Sequence, residues 1–276
     1  MSPRQYRPIP AAAVRRLRQK LLAWYRRHGA EFLWRQRPTP YRVLVAEVML
    51  QQTQVSRVEP KYRAWLRRYP TLRALAGATT RELLTLWSGL GYNRRALSLR
   101  DCARVVAARH GGRLPHAFSA LLALPGIGPY TAHAVNIFAR NRDEVCVDTN
   151  VRRVLIHELK LPPDCPPARV EQVAWQALPK GRSREWHNAL MDYGRIVATG
   201  RATGVRSVVR RPQPFLGSSR YYRGRLIAAL VRHRFMAWPA LARQVRLPIA
   251  NVKKIAAALA RDGLVVVRPN GAGLPR

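Results

Sequence analysis

Acidic residues are scarce in this chain. It holds 14 Asp and Glu against 50 Lys and Arg in 276 residues, a formal charge of +36. So large an imbalance points to a polyanion as partner, and nucleic acid fits best. Lysine is scarce as well, with only Lys20, Lys61, Lys160, Lys180, Lys253 and Lys254. A coding bias toward arginine accounts for Arg over Lys, but not for the shortage of acids. The three cysteines, Cys102, Cys146 and Cys165, are widely spaced. They form no metal-ligand pattern, and their odd number argues against a disulfide framework and for a reducing compartment. No apolar run reaches the ~18 residues of a membrane span. The N-terminus MSPRQYRPIP lacks the apolar core of a signal peptide. A cytoplasmic, nucleoid-associated prokaryotic protein without membrane contact is expected.

What is present is mostly helical in period. Val14–His28 repeats its leucines near every 3.6 residues, and Tyr41–Val58 follows behind Pro40. Further helices are expected over Pro60–Arg68, Thr71–Ala76, Thr80–Ser88, Arg94–His110, Ala117–Ala123, Thr131–Arg140, Val151–Leu159, Pro167–Leu178 and Ser183–Ala198. Strand-like alternation is rare before residue 260, so the body is all-α. A basic connecting segment, 199–217, leads to a small unit with helices over Arg223–Arg232, Trp238–Gln244 and Ile249–Arg261 and a strand over Leu264–Val267. That order resembles a winged helix; a plain structural appendage would have the same pattern.

Leu124-Pro125-Gly126-Ile127-Gly128 separates two helical runs. Gly126 and Gly128 allow backbone shapes and a close phosphate approach denied to other residues. The helix that starts near Pro129 or Tyr130, and continues through Thr131, offers free N–H groups and a positive dipole end to an anion. This is a helix–hairpin–helix pattern, a sequence-blind holder of the DNA backbone. A tight interhelical turn is the alternative.

Two carboxylates stand in contrasting settings. Glu47 shares a helix face with Val43, Leu44 and Leu50. Desolvation there would raise its pKa and suit it to general acid work. A buried Glu satisfied by a backbone or Arg partner fits the same helix. Asp148 precedes the periodic run Val151, Val154, Leu155, where an N-cap is the default role. An ionised carboxylate there could instead stabilise or attack a sugar cation, and both roles can hold at once. Nearby, Gln51-Gln52-Thr53 supplies amides suited to base edges. Leu90-Gly91-Tyr92 is a glycine-punctuated turn with an aromatic, fit either to wedge into a base step or to pack in a core.

The ordered strings LWRQRPTPYRVLVAEVMLQQTQV, LWSGLGYNRRA, LPGIGPYTAHAV and VDTNVRRV resemble the adenine DNA glycosylase (MutY) family of helix–hairpin–helix glycosylases, from about Phe32 to Ala198. The resemblance implies a two-lobed fold. One lobe would be residues 1–40 with 141–215, the other 41–140, followed by a winged-helix-like domain over 216–276. It implies a monomer that flips a base from double-stranded DNA in base excision repair. Glu47 would protonate adenine at N7 and Asp148 would stabilise the sugar cation, with Tyr130 and Asn150 beside it. Trp34, Arg35 and Asp192 would line the adenine pocket. Gln52, Thr53, Leu90 and Tyr92 would surround the orphaned base, with Tyr92 as the wedge. The chemistry agrees, since adenine departs poorly as an anion and has an N7 to protonate, whereas a pyrimidine has none.

Three departures narrow the expectation. Bifunctional relatives such as endonuclease III carry a lysine nucleophile where this chain has Tyr130, and no lysine lies between Lys61 and Lys160. No Schiff base and no strong strand cleavage are expected. Most of the family holds a [4Fe–4S] cluster on four cysteines, the first at the position of Ala198; no cysteine follows Cys165, so no cluster and no cofactor are expected. Arg201, Arg206, Arg210 and Arg211 could replace the charge of the cluster loop. The family's β-rich domain that reads 8-oxoguanine has no counterpart in the roughly 60 residues that remain, which removes the usual basis for preferring 8-oxoguanine over guanine. The alternatives are a mismatch thymine or uracil glycosylase on the same fold, and a non-catalytic DNA-binding protein, which would have no need of a buried acid.

Overall fold

The computed structural model describes residues 7–204 and 215–275. Of the basic segment, Arg206, Arg210 and Arg211 lie outside the described residues; Arg201 sits in the short helix Gly200–Thr203. The body is helical, and its contacts divide the chain into two units. The first takes residues 1–44, 116–122 and 127–210; the second takes 45–115, 123–126 and 211–276. By this grouping residues 127–140 go with the helices that follow them, and the C-terminal segment goes with 45–115 rather than standing apart.

The first unit is built around helix Ser183–Ile196. It buries Trp186, His187, Ala189, Leu190, Asp192 and Tyr193. Ala11–His28 packs on it through Leu17, Leu21 and Leu22 and ends on three basic residues, Arg26, Arg27 and His28, which complement the helix dipole. Thr149–Glu158 also packs on it through Val151, Val154 and Leu155. Truncating Leu190 in this core would cost about 2–5 kcal/mol.

The second unit gathers Val55–Arg68, Leu72–Ala76, Thr80–Trp87 and Arg94–Arg109. Trp65 lies edge-on to both Tyr69 (5.3 Å) and Trp87 (5.4 Å) at its centre. Thr79 and Glu82 close a reciprocal capping box at the start of Thr80–Trp87. The expected single helix over Tyr41–Val58 is two, Pro40–Leu50 and Val55–Arg68. Gln52 adopts a left-handed φ of 54° and breaks the run. Pro60 lies inside the second helix rather than at its start. The C-terminal part contains helices Ser219–His233, Trp238–Val245 and Ile249–Arg261. Its strands Phe235–Ala237, Val266–Arg268 and Gly271–Gly273 form an antiparallel sheet in which the last is central. The expected strand over Leu264–Val267 begins two residues later, because Leu264 and Val265 turn into the core.

Candidate functional site

In the first unit the segment 145–147 leads to Asp148 at the start of Thr149–Glu158. Asp148 caps that helix: its Oδ1 accepts from the Val151 N–H at 2.8 Å, and its Oδ2 accepts from Asn150 Nδ2 at 3.1 Å. Burial pushes the carboxyl above the usual Asp range. The Val151 and Asn150 N–H groups, the Asn150 amide and the Arg153 charge pull the other way without cancelling it. Asn150 in turn accepts from Arg153. Helix Ser183–Ile196 reaches this point at Gly194, where a Cβ would stand 2.7 Å from that of Asn150. His187, two helix turns earlier, holds the segment that leads to Asp148. Its Nδ1 donates to Ser183 O at 2.8 Å and its Nε2 accepts from the Cys146 N–H at 3.3 Å, a neutral tautomer that burial stabilises by lowering the pKa to about 4.

Trp34, Arg35 and Asp192 also come together in this unit. Asp192, 1% exposed, is fully engaged. It accepts a bidentate pair from Arg35 at 2.7 and 3.1 Å and the Ala30 N–H at 2.9 Å. Arg35 also donates to Ala30 O and lies 4.9 Å from the Phe32 ring centroid, and Phe32 stacks on the buried Trp34. The structure thus makes Asp192 and Arg35 the anchors of the turn that orients Trp34.

The hairpin residues Gly126–Thr131 join a tight turn to the start of Pro129–Ala134. Gly126 has φ +74°, and a Cβ on it would lie 2.6 Å from that of Ser98. Ile127 is buried. Gly128 is exposed, caps Pro129–Ala134 with no side-chain hydrogen bond, and would meet nothing if it bore a Cβ. Tyr130 is half-buried and Thr131 buried within that helix, which continues as the π-helical turn Val135–Ala139.

In the second unit, Glu47 is half-buried on Pro40–Leu50, beside the half-buried Leu50. Four residues on, the turn Gln51–Thr53 meets the turn Leu90–Tyr92. Thr53 Oγ1 lies 3.3 Å from Leu90 O. Arg95 clamps the two turns. Its Nη1 donates to the carbonyls of Val48 (2.7 Å), Met49 (3.2 Å) and Gln51 (2.6 Å). Its Nη2 donates to Thr53 Oγ1 (3.2 Å) and to the carbonyls of Leu90 and Gly91 (both 3.1 Å). Its charge lies against the rings of Trp87 and Tyr92. Burial lowers its pKa to about 10, still far above neutrality. The clamp leaves Leu90 in the core at 5% exposure and presents Tyr92 at 46%, with a left-handed φ of 45°. Gln52 is exposed and Thr53 half-buried.

Sequence reasoning missed Arg95, Gly194 and His187. The run NRRA after GLGY offered a signal for Arg95, because an arginine on the apolar face of a helix needs several acceptors. The cysteines do not fit a four-cysteine cluster. All three are free and buried, and burial raises the Cys102 thiol to about 12 and lifts that of Cys165. Among the described residues, no group of three or more His, Cys, Asp or Glu is gathered for a metal, and no helix is long and apolar enough to cross a membrane.

Residues 45–180 match the model of the HhH-GPD superfamily of base excision DNA repair proteins. The adenine DNA glycosylase of Mycolicibacterium smegmatis is 39% identical over 232 residues, covering 76% of this chain and 79% of that protein. The human adenine DNA glycosylase is 37% identical over 201 residues, 68% of this chain and 39% of that protein. Among solved structures, a thermostable thymine-DNA glycosylase superposes with TM-score 0.65 at 26% identity, covering 70% of this chain and 90% of that one. A trapped endonuclease III–DNA covalent intermediate superposes with TM-score 0.61 at 20% identity, covering 74% and 91%, and shares the fold. The chain belongs to the adenine DNA glycosylase (MutY-like) family within the HhH-GPD superfamily. It is a DNA glycosylase of base excision repair.

Proposed function

We propose that this glycosylase hydrolyses the N-glycosidic bond of adenine mispaired with guanine or 8-oxoguanine, and that it acts as a monomer. The 39% identity to a curated adenine DNA glycosylase over three quarters of the chain carries the reading. Glu47 delivers a proton to adenine N7, which turns a poor anionic leaving group into a neutral one. Asp148, ionised, stabilises the oxocarbenium-like sugar as the bond opens. Asn150 positions Asp148 through its amide, and Tyr130 stands where bifunctional relatives carry a lysine. With no amine there to form a Schiff base, the chain releases the base and leaves the strand whole. Tyr92 fills the gap left by the flipped nucleotide, while Gln52 and Thr53 meet the orphaned base. Hairpin residues Gly126–Gly128 hold the backbone. The chemistry uses no [4Fe–4S] cluster.

A panel of A·8-oxoG, A·G, T·G and U·G duplexes tests this. Release of adenine, with strand breaks only after alkali, is expected. Release from T·G or U·G alone would install the thymine or uracil reading, and no release from any duplex would leave a DNA-binding protein.

A further inference from the structure

The C-terminal segment has no part in the chemistry above. Its elements run helix, strand, helix, helix, strand, strand, the winged-helix order, and its three helices pack on one another. Residues 215–275 hold eleven Lys and Arg against one acid, Asp262. That acid is already engaged, because Arg223 donates to one carboxylate oxygen and Arg94 to the other, at 3.3 Å. The other cations have no carboxylate in the segment to offset them.

Helix Ile249–Arg261 packs through Val252, Ala256 and Leu259. Its outer face shows Ala250, Lys254, Ala257 and Arg261 at helical spacing, all exposed. Small side chains between cations let a helix approach a groove closely while the long side chains reach phosphates. The neighbouring strand turn is exposed at Arg268, Pro269 and Asn270. The segment is fastened beside Tyr92. Arg220 Nη1 donates to the Tyr92 hydroxyl at 3.2 Å, Arg94 ties the end of Ile249–Arg261 at Asp262, and Arg81 Nε donates to Val231 O at 2.9 Å. A helix of 13 residues is about 20 Å long, roughly six base-pair steps of duplex.

We infer that helix Ile249–Arg261 and the Arg268 turn form a second duplex-DNA surface. It grips the phosphate backbone without reading sequence, within about six base pairs of the flipped nucleotide. The distance to the flipped nucleotide rests on the wedge role of Tyr92; the surface itself does not.

The test is equilibrium binding of the full chain to an undamaged duplex of about three helical turns, followed by fluorescence anisotropy across a salt series. Changing Lys254→Ala, Arg261→Ala and Arg268→Ala together is expected to weaken binding about tenfold or more and to lower the slope of log K against log salt by about three. The charge-keeping set Lys254→Arg, Arg261→Lys and Arg268→Lys is expected to bind as wild type. Wild-type affinity and slope in the alanine set would overturn the inference. So would a charge-keeping set as weak as the alanine set, since shape rather than charge would then matter. The readout needs no base release, so a chain that grips plain duplex through this helix yet releases no adenine refutes the proposed function and leaves the surface standing.

Discussion

Gly194 faces Asn150 so closely that a Cβ on the glycine would stand 2.7 Å from the Asn150 Cβ and 2.9 Å from its carbonyl oxygen. The contact sets how the first turn of Thr149–Glu158, and with it the Asp148 carboxylate, rests on the central helix of its unit. Gly194→Ala must push that turn away. A stability loss of about 1–3 kcal/mol is expected from overpacking. A tenfold or larger drop in single-turnover base release is expected as well. Thermal unfolding and rapid-quench kinetics measure the two separately. Wild-type release in a folded variant would remove Gly194 from the positioning of Asp148.

Asp148 is a helix cap whose carboxyl is held above its ordinary pKa by burial. A raised carboxyl pKa favours the folded state at low pH, and that contribution is lost as pH rises through the folded value. Asp148→Asn keeps a capping oxygen and removes the buried charge. Its unfolding midpoint at neutral pH should equal or exceed that of wild type, while base release falls by about a hundredfold or more. In wild type, release should decline as pH drops through the raised pKa of Asp148. A variant that is both less stable and fully active would reverse the assignment.

The Arg95 guanidinium joins the Gln51–Thr53 and Leu90–Tyr92 turns. Arg95→Met leaves several carbonyls without their donor and should cost about 2–4 kcal/mol. Arg95→Lys should recover little of it, because one ammonium cannot reproduce the fork. Both should bind mispaired duplex more weakly, and chemical denaturation beside anisotropy reads the two effects. Full recovery by lysine would show that charge alone matters.

His187 is neutral and buried, with a pKa near 4 against an ordinary 6.5. Because the folded pKa is depressed, the unfolded chain binds the extra proton first. Stability is complete above about pH 6.5 and falls as pH drops toward 4, by about 3 kcal/mol in all. Protonation would also remove the acceptor for the Cys146 N–H, two residues from Asp148. Unfolding midpoints measured from pH 7 to 4 should show the decline, and His187→Gln should flatten it.

Much of this was legible in the sequence, and the exceptions have physical causes. Helix Ile249–Arg261 is legible to the residue because its apolar stripe and following Gly263 mark both ends. The break at Gln51–Gln54 is not, because glutamines suit a helix surface as well as a turn and only the backbone angle of Gln52 decides. Two of the three-residue strands, Phe235–Ala237 and Gly271–Gly273, are too short to show alternation. The neighbours of Asp148 mark it as a cap, and the structure adds the burial that raises its pKa. The Arg35–Asp192 pair joins residues 157 apart in the chain, a distance over which spacing carries no information.

The most direct test of the account is single-turnover release from a duplex in which 7-deazaadenine replaces adenine opposite guanine. That base keeps its ring shape and lacks only the N7 that Glu47 is to protonate. The account predicts prompt release of adenine and none of 7-deazaadenine, with both bound to similar extent. Release of the two bases at equal rates would contradict it.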